Sequence, residues 1–261
     1  MRPKLHRNNK KKIVNDPVYG FISIPDEFIF DLIEHPYFQR LRRIMQLGMS
    51  HLVYPGAIHT RFNHVLGAMH LMTQAVSVIR RKGHVITEEE ERAVLIAILL
   101  HDIGHGPFSH ALEYDIVNKV SHEKISEFFL LRLSNEFGED LQHALLIFRN
   151  KHSKPFLHQL VSSQLDMDRL DYLNRDSFYT GVSEGIVGVE ERQHGIGRSG
   201  LGKADALAHH RVVEDLGEAA GEVPGLEEGA PVDECDELGE RHRERLHAQR
   251  RRLGRHVGLV A

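Results

Sequence analysis

The sequence predicts an all-α fold, in which a short N-terminal β-hairpin precedes a bundle of helices. Apolar residues recur at helical spacing over most of the first 188 positions, as in helices that bury one face. Strand and helix patterns do not alternate, which disfavours a doubly wound α/β fold. With 261 residues, of which 41% are hydrophobic, the chain is long enough for one large domain or two small ones.

The elements can be placed in order from apolar spacing and from capping residues. β-branched residues around an Asp-Pro pair predict a hairpin over residues 13–24. Thr87 and Glu90 match a capping box, so a helix begins after Thr87 and runs through an apolar stretch to Leu100. The other predicted helices cover residues 26–35, 38–47, 64–82, 107–118, 122–137, 141–148, 156–165 and 168–176.

Composition excludes several classes of protein. The single cysteine, Cys235, cannot form an internal disulfide, and the longest apolar run, Ala93–Leu100, is too short to span a membrane. No apolar signal region follows the basic start of the chain, so we expect a cytoplasmic protein without a membrane partner. A net charge of −4 disfavours nucleic acid as the main partner.

An abrupt change in composition divides the chain into three segments. Residues 1–12 are a basic tail, residues 13–188 carry the helical pattern, and residues 189–261 are poor in aromatic side chains. None of the 12 Phe, 6 Tyr or 6 Met follows Tyr179, and half of the 22 Gly lie in the last segment. We expect this last segment to be a disordered or misfolded tail without site residues, and its composition suggests a frameshift product.

Titratable residues concentrate at the end of the apolar helix. His101 and Asp102 follow eight apolar residues directly, and burial of both without partners would be costly. The glycines and the proline of the next segment, IGHGPFSH, predict a tight turn that returns His105 and His110 to the same point. A helix end that reaches solvent is the alternative, but four titratable groups around one turn are more typical of a site.

Two further segments supply candidate partners for these residues. In HTRFNH, His64 opens a predicted helix and Arg61 lies one turn before it. In LDMDRLDYLNRDSFY, the spacing of four places Asp168, Tyr172 and Asp176 on one helical face. Two imidazoles and two carboxylates would give a ligand set that suits Mn, Fe, Ni, Zn or Mg and leaves positions open for water and substrate.

Three segments, HTRFNH, HDIGHGPFSH and LDMDRLDYLNRD, resemble the motifs of the HD-domain metal-dependent phosphohydrolases, specifically of their deoxynucleoside triphosphate triphosphohydrolase (dGTPase-like) branch. The likeness continues through KIVNDPVYGFISI, MQLG and VYPGAIHTRF and covers roughly residues 10–188. The resemblance implies a helical HD domain over residues 13–188 that binds one divalent metal ion. The implied metal ligands are His64, His101, Asp102 and Asp168.

The resemblance also implies an activity, the hydrolysis of a deoxynucleoside triphosphate (dNTP) to deoxynucleoside and inorganic triphosphate. By motif position, His110 corresponds to the catalytic histidine and Glu113 to the carboxylate that orients it. The positions that correspond to substrate contacts are Gln46, Arg61, His105, His122, Arg169, Tyr172 and Asp176.

Members of this branch form homo-oligomers and continue with further helices that carry an Arg and a Tyr for substrate binding. The likeness stops at about Gly188, so we expect the aberrant C-terminus to impair substrate binding and assembly. Two alternatives stay open from the sequence. The first is another HD phosphohydrolase, acting on a nucleoside monophosphate or a cyclic nucleotide, and the second is a non-catalytic nucleotide-binding remnant.

Overall fold

The computed structural model describes residues 12–108, 120–164 and 166–182. The helix predicted over residues 107–118 and the tail over residues 189–261 lie outside the described residues. The predicted hairpin is confirmed as two antiparallel strands, β1 (Ile13–Asp16) and β2 (Gly20–Ser23). Its turn requires glycine at the end, because Gly20 has a φ of +76°.

Within the described residues, eight α-helices follow the hairpin. They are α1 (Glu27–Glu34), α2 (Pro36–Gln39), α3 (Arg61–Arg81), α4 (Glu88–Leu100), α5 (His122–Phe137), α6 (Glu139–Phe148), α7 (Phe156–Val161) and α8 (Met167–Thr180). Short 3-10 turns cover Arg40–Arg43 and Ser50–Leu52. The predicted all-α class is therefore confirmed for the described part of the chain.

Helices α3 and α4 form the centre of the bundle. Helix α3 packs against α4 and α8, and α4 also packs against α6. The apolar half of α4, Ala93–Leu100, is buried on every side, because the core continues all round this helix. No helix in the described ranges is long and apolar enough to cross a membrane.

Several predicted helix boundaries were wrong, including the end of α8, which lies at Thr180 instead of residue 176. The single helix predicted over residues 38–47 is α2 followed by a 3-10 turn; Ile44 is extended and Met45 forms a β-bridge with Thr60. This bridge supplies long-range hydrogen bonds that helical spacing alone does not reveal. Helix α3 begins at Arg61, not at His64, and α7 ends at Val161 instead of extending to residue 165.

Candidate metal centre

Three helices converge on one point of the molecule. His64 lies in the first turn of α3, His101 and Asp102 directly follow α4, and Asp168 lies in the first turn of α8. Helix α3 packs against both other helices, so these helix ends meet although the residues are far apart in sequence.

Capping residues fix the starts of α3 and α8. Asn63 Oδ1 accepts hydrogen bonds from the backbone N–H of Thr60 at 3.3 Å and from its hydroxyl at 2.8 Å. Asp166 Oδ1 accepts from the backbone N–H of Arg169 at 2.7 Å. These caps set where each helix begins and hence which side chains its first turn presents.

The four predicted ligands lie close together. One ligand atom from each of His64, His101 and Asp168 can be chosen so that all three lie within 4.8 Å of one another. Asp168 Oδ1 is 2.9 Å from His64 Nε2 and 3.3 Å from His101 Nε2. The carboxylate of Asp102 stands beside them, 3.4 Å from His101 Nε2 and 3.7 Å from His64 Nε2.

The donor atoms at this point fit a metal ion. The Nε2 atoms of His64 and His101 are buried, and neither has a hydrogen bond of acceptable geometry among the described residues. Buried polar atoms are normally paired, so two such atoms facing one carboxylate call for an explanation. Imidazole nitrogens and carboxylate oxygens together are ligands for first-row divalent metals, so this cluster is a candidate site for one such ion.

The carboxylates around the two imidazoles also favour a positive charge at this point. Burial favours the neutral imidazole of His64, but Asp168 and Asp171 outweigh burial and raise its pKa to about 10. Asp102 and Asp168 likewise outweigh burial at His101 and raise its pKa to about 9. Burial raises the pKa of Asp168, yet His101 and His64 hold that pKa below its usual range. The site therefore holds positive charge, either as protons or as a metal ion.

Arg61 and His105 also contact the Asp102 carboxylate. Arg61 NH1 is 2.5 Å from Asp102 Oδ2, and His105 Nε2 is 3.2 Å from Asp102 Oδ1. The ring of His105 stacks on that of His122 with 3.9 Å between centroids. Burial lowers the pKa of His105 to about 4 although Asp102 opposes this. Arg61 is thus a permanent cation beside the centre, whereas His105 is neutral at pH 7.

The turn that follows the His-Asp pair is held from two sides. Arg40 donates a hydrogen bond to the carbonyl oxygen of His105 at 2.8 Å. The Ser126 hydroxyl on α5 accepts from the Gly104 N–H at 2.8 Å and donates to the His101 carbonyl at 2.7 Å. A Cβ atom on Gly104 would approach the α5 backbone to 2.2 Å, so the close packing of this turn requires glycine.

A histidine that the sequence analysis did not single out joins two predicted substrate contacts. The Gln46 backbone N–H donates to the His59 carbonyl at 3.0 Å, and His59 Nε2 lies 2.7 Å from Asp176 Oδ1. The His59 ring is fully buried and stacks on Tyr179 at 4.6 Å. The only sequence signal for His59 was its place in the HTRFNH segment.

The structure describes only some of the remaining predicted site residues. Arg169 and Tyr172 follow Asp168 on α8 and are partly buried, and burial raises the pKa of Tyr172. His110 and Glu113 lie outside the described residues.

Sequence analysis also missed a buried set of charged residues behind His64. Asp171 Oδ2 lies 2.7 Å from His64 Nδ1, and Arg175 and Asp16 extend this contact toward the hairpin. An Asp and an Arg four residues apart on one helix are usually an exposed ion pair. Here both side chains are fully buried.

Comparison with known proteins places these residues in a family. Residues 61–176 match the HD domain. A phosphohydrolase of Bacteroides thetaiotaomicron with a known crystal structure shares 51% identity and a TM-score of 0.68, over 78% of this chain and 46% of that one. The uncharacterized protein YwfO of Bacillus subtilis is 38% identical over 193 residues, 70% of this chain and 43% of that protein.

A further relative is named for its activity. The deoxynucleoside triphosphate triphosphohydrolase SAMHD1 homologue of Dictyostelium discoideum is 36% identical over 191 residues, 66% of this chain and 37% of that protein. The chain thus spans less than half the length of these three proteins. The match to the HD domain encloses all four clustered ligand candidates. Residues 61–176 are therefore an HD domain, and the proteins that the chain resembles include a phosphohydrolase and a dNTP triphosphohydrolase homologue.

Proposed function

We propose that the chain hydrolyses dNTPs to deoxynucleoside and inorganic triphosphate. The observation that carries this proposal is the convergence of His64, His101, Asp102 and Asp168, with distances of 2.9–3.7 Å between imidazole nitrogens and carboxylate oxygens. The activity named for the Dictyostelium relative supports a triphosphate substrate over a monophosphate or a cyclic nucleotide.

The four converging residues are the proposed ligands of one divalent ion, which is Mn, Fe, Ni, Zn or Mg. When bound, such an ion polarises a phosphoryl oxygen and acidifies water. The chain supplies two imidazoles, which would bind the ion in their deprotonated form, and two carboxylates, and the helix ends of α3, α4 and α8 hold them in place. Each of these helices is anchored in the core, so the site is built before substrate arrives.

Residues around the centre are suited to bind the triphosphate. In the proposed reaction, water adds to the α-phosphorus and the bond from this phosphorus to the 5′-oxygen breaks. Arg61 and Arg169 neutralise charge on the triphosphate, and preorganised cations of this kind stabilise the charge that develops as the bond breaks. His105 and its stacking partner His122 are the proposed further contacts to the phosphate groups.

Proton transfer and sugar recognition fall to other residues. His110, oriented by Glu113, is the proposed general acid that gives a proton to the leaving 5′-oxygen. Gln46, Tyr172 and Asp176 are the proposed contacts to the sugar that exclude a ribose. The hydrogen bond from His59 to Asp176 supports this role, because it fixes one oxygen of that carboxylate.

Product analysis tests this function. The purified full chain is incubated with each dNTP and Mn²⁺, and the products are separated by chromatography. We expect deoxynucleoside and inorganic triphosphate in equal amounts. Orthophosphate released from a nucleoside monophosphate or a cyclic nucleotide, with dNTPs left intact, would instead identify another HD phosphohydrolase. Nucleotide binding without any product would identify a non-catalytic remnant.

A matched control excludes a contaminating hydrolase. Asp168→Ala removes a proposed ligand and should abolish triphosphate release. Arg80→Ala removes a partly exposed ion pair with Glu91 near the far end of α3. This position is about 24 Å along the helix from His64, so the variant should keep wild-type activity.

A further inference from the structure

A continuous line of buried charged residues connects the hairpin to His64. Asp171 Oδ2 lies 2.7 Å from His64 Nδ1. Arg175 donates from Nε to Asp171 Oδ2 and from NH2 to Asp171 Oδ1, both at 2.9 Å. Arg175 NH1 donates to Asp16 Oδ2 at 2.8 Å. The line therefore runs from β1 through α8 to the imidazole on α3.

Burial of this line is unusual for charged side chains. Asp171 and Arg175 are fully buried and Asp16 is 3% exposed. Removing paired ions from water costs about as much as their attraction returns, so apolar residues of similar volume would hold these elements together at least as well. Stability alone does not account for an ion pair placed at the back of a proposed metal ligand.

The contact fixes which way the His64 ring presents its nitrogens. A carboxylate accepts hydrogen bonds and cannot donate them, so Nδ1 must carry the hydrogen shared with Asp171. Nε2, which faces His101 and Asp168, is then the nitrogen left to bind a metal once its own proton is released. Carboxylates that orient ligating imidazoles in this manner also raise their basicity.

We propose that Asp171 is a positioning residue that orients His64 for metal binding, and that Arg175 and Asp16 hold Asp171 in place. This inference rests on the proposed function, because it assumes that His64 is a metal ligand. Asp171 lies behind the His64 ring, on Nδ1, and acts on the metal only through this imidazole.

A substitution at Gly67 provides a second, independent way to disturb the contact between Asp171 and Arg175. It lies one turn after His64 on α3, and a Cβ atom there would lie 1.9 Å from Asp171 Oδ1 and 2.2 Å from Arg175 NH2. It would also lie 2.8 Å from the ring of Tyr19, so these side chains must move to make room for it. Gly67→Ala should therefore displace the Asp171 carboxylate while it leaves every charged group in the protein.

The test compares metal affinity with stability in Asp171→Asn. The full chain is stripped of metal with a chelator, and its Kd for Mn²⁺ is measured by calorimetry beside its metal-free unfolding temperature. We expect the Kd to rise about 10- to 100-fold. Leu133→Ala, a buried apolar truncation on α5, serves as the control for lost stability and should leave the Kd within about twofold of wild type. A Kd for Asp171→Asn within about twofold of wild type would overturn the proposal.

Gly67→Ala keeps the proposal testable if Asp171→Asn does not fold. We expect its Kd for Mn²⁺ to rise at least about tenfold as well. An unchanged Kd in folded Gly67→Ala would contradict the positioning role. Failure of the wild-type chain to bind Mn²⁺ would overturn the metal centre itself, and with it this inference. Unchanged affinity in the variants beside normal wild-type binding would overturn only the role of Asp171.

Discussion

At the scale of single residues, protons and the proposed metal ion would compete for the same two imidazoles. The pKa values of His64 and His101 are about 10 and about 9, so both rings are protonated at neutral pH in the metal-free protein. We therefore expect Mn²⁺ binding near neutral pH to release about two protons, and its affinity to increase as the pH rises toward 9. Calorimetry in buffers of different ionisation enthalpy counts these protons. A count of zero would contradict metal binding at these nitrogens.

The stability of the metal-free protein provides a control, because it should decrease with pH where metal affinity increases. Raised pKa values mean that the folded state binds protons more tightly than the unfolded state. The resulting stabilisation is complete below about pH 6.5, the usual histidine pKa. It is lost as the pH rises through about 9 and about 10. Chemical unfolding of the metal-free chain should thus show a falling free energy of unfolding over the range in which metal affinity rises.

His110→Ala should separate catalysis from metal binding. We expect this variant to keep its metal content and to lose about 10²- to 10⁴-fold in turnover, the usual contribution of a general acid. Metal analysis and rate measurement on the same preparation check both halves of the prediction. Turnover at the wild-type rate would transfer the role of general acid to another residue, such as His122.

The sequence predicted the site residues that lie in compact motifs and missed those that depend on long-range pairing. His101 and Asp102 are adjacent, and the apolar run before them marks a helix end that is costly to bury. Arg175 and Asp16, by contrast, are 159 positions apart, so no local spacing indicates their ion pair. His59 was missed for the same reason, because its partner Asp176 lies 117 positions further along the chain.

At the scale of elements, the start of α4 depends on one capping box. Thr87 Oγ1 accepts from the Glu90 N–H at 3.1 Å, and Glu90 Oε2 accepts from the Thr87 N–H at 2.9 Å. Thr87→Ala should lower the free energy of unfolding by about 1 kcal/mol. Thr87→Ser keeps the hydroxyl and should remain close to wild type. Denaturant unfolding measures both variants, and equal stability of the two would argue against the cap.

Capping and burial made α4 predictable from the sequence, whereas the structure of the region after α2 could not be predicted. The acidic capping box and the apolar half of α4 agree in where the helix lies, and the structure confirms both ends. The residues after Gln39 have helical apolar spacing, but Ile44 accepts a backbone hydrogen bond from Arg61 at 2.9 Å, beside the Met45–Thr60 bridge. Tertiary pairing of this kind overrides local propensity.

At the scale of the whole molecule, the proposed metal ion would link three helices. An ion that binds only the folded state stabilises it by about 2.7 kcal/mol at a concentration of 100 times its Kd. Mn²⁺ should therefore raise the unfolding temperature of the wild-type chain. Asp102→Ala removes a proposed ligand and should lose both this increase and the bound metal. Unchanged metal stoichiometry in the variant would count against Asp102 as a ligand.

The distribution of the ligands along the chain also sets the order of events during synthesis. Asp102 is made 66 residues before Asp168, an interval of roughly 3 to 13 s at common translation rates. A nascent chain that ends within this interval already carries both imidazoles and Arg61, the counter-ion of Asp102. It lacks the carboxylate that faces the two Nε2 atoms. We therefore expect metal loading to follow the docking of α8 on α3, so a ribosome-bound fragment that stops short of residue 168 should leave metal in solution.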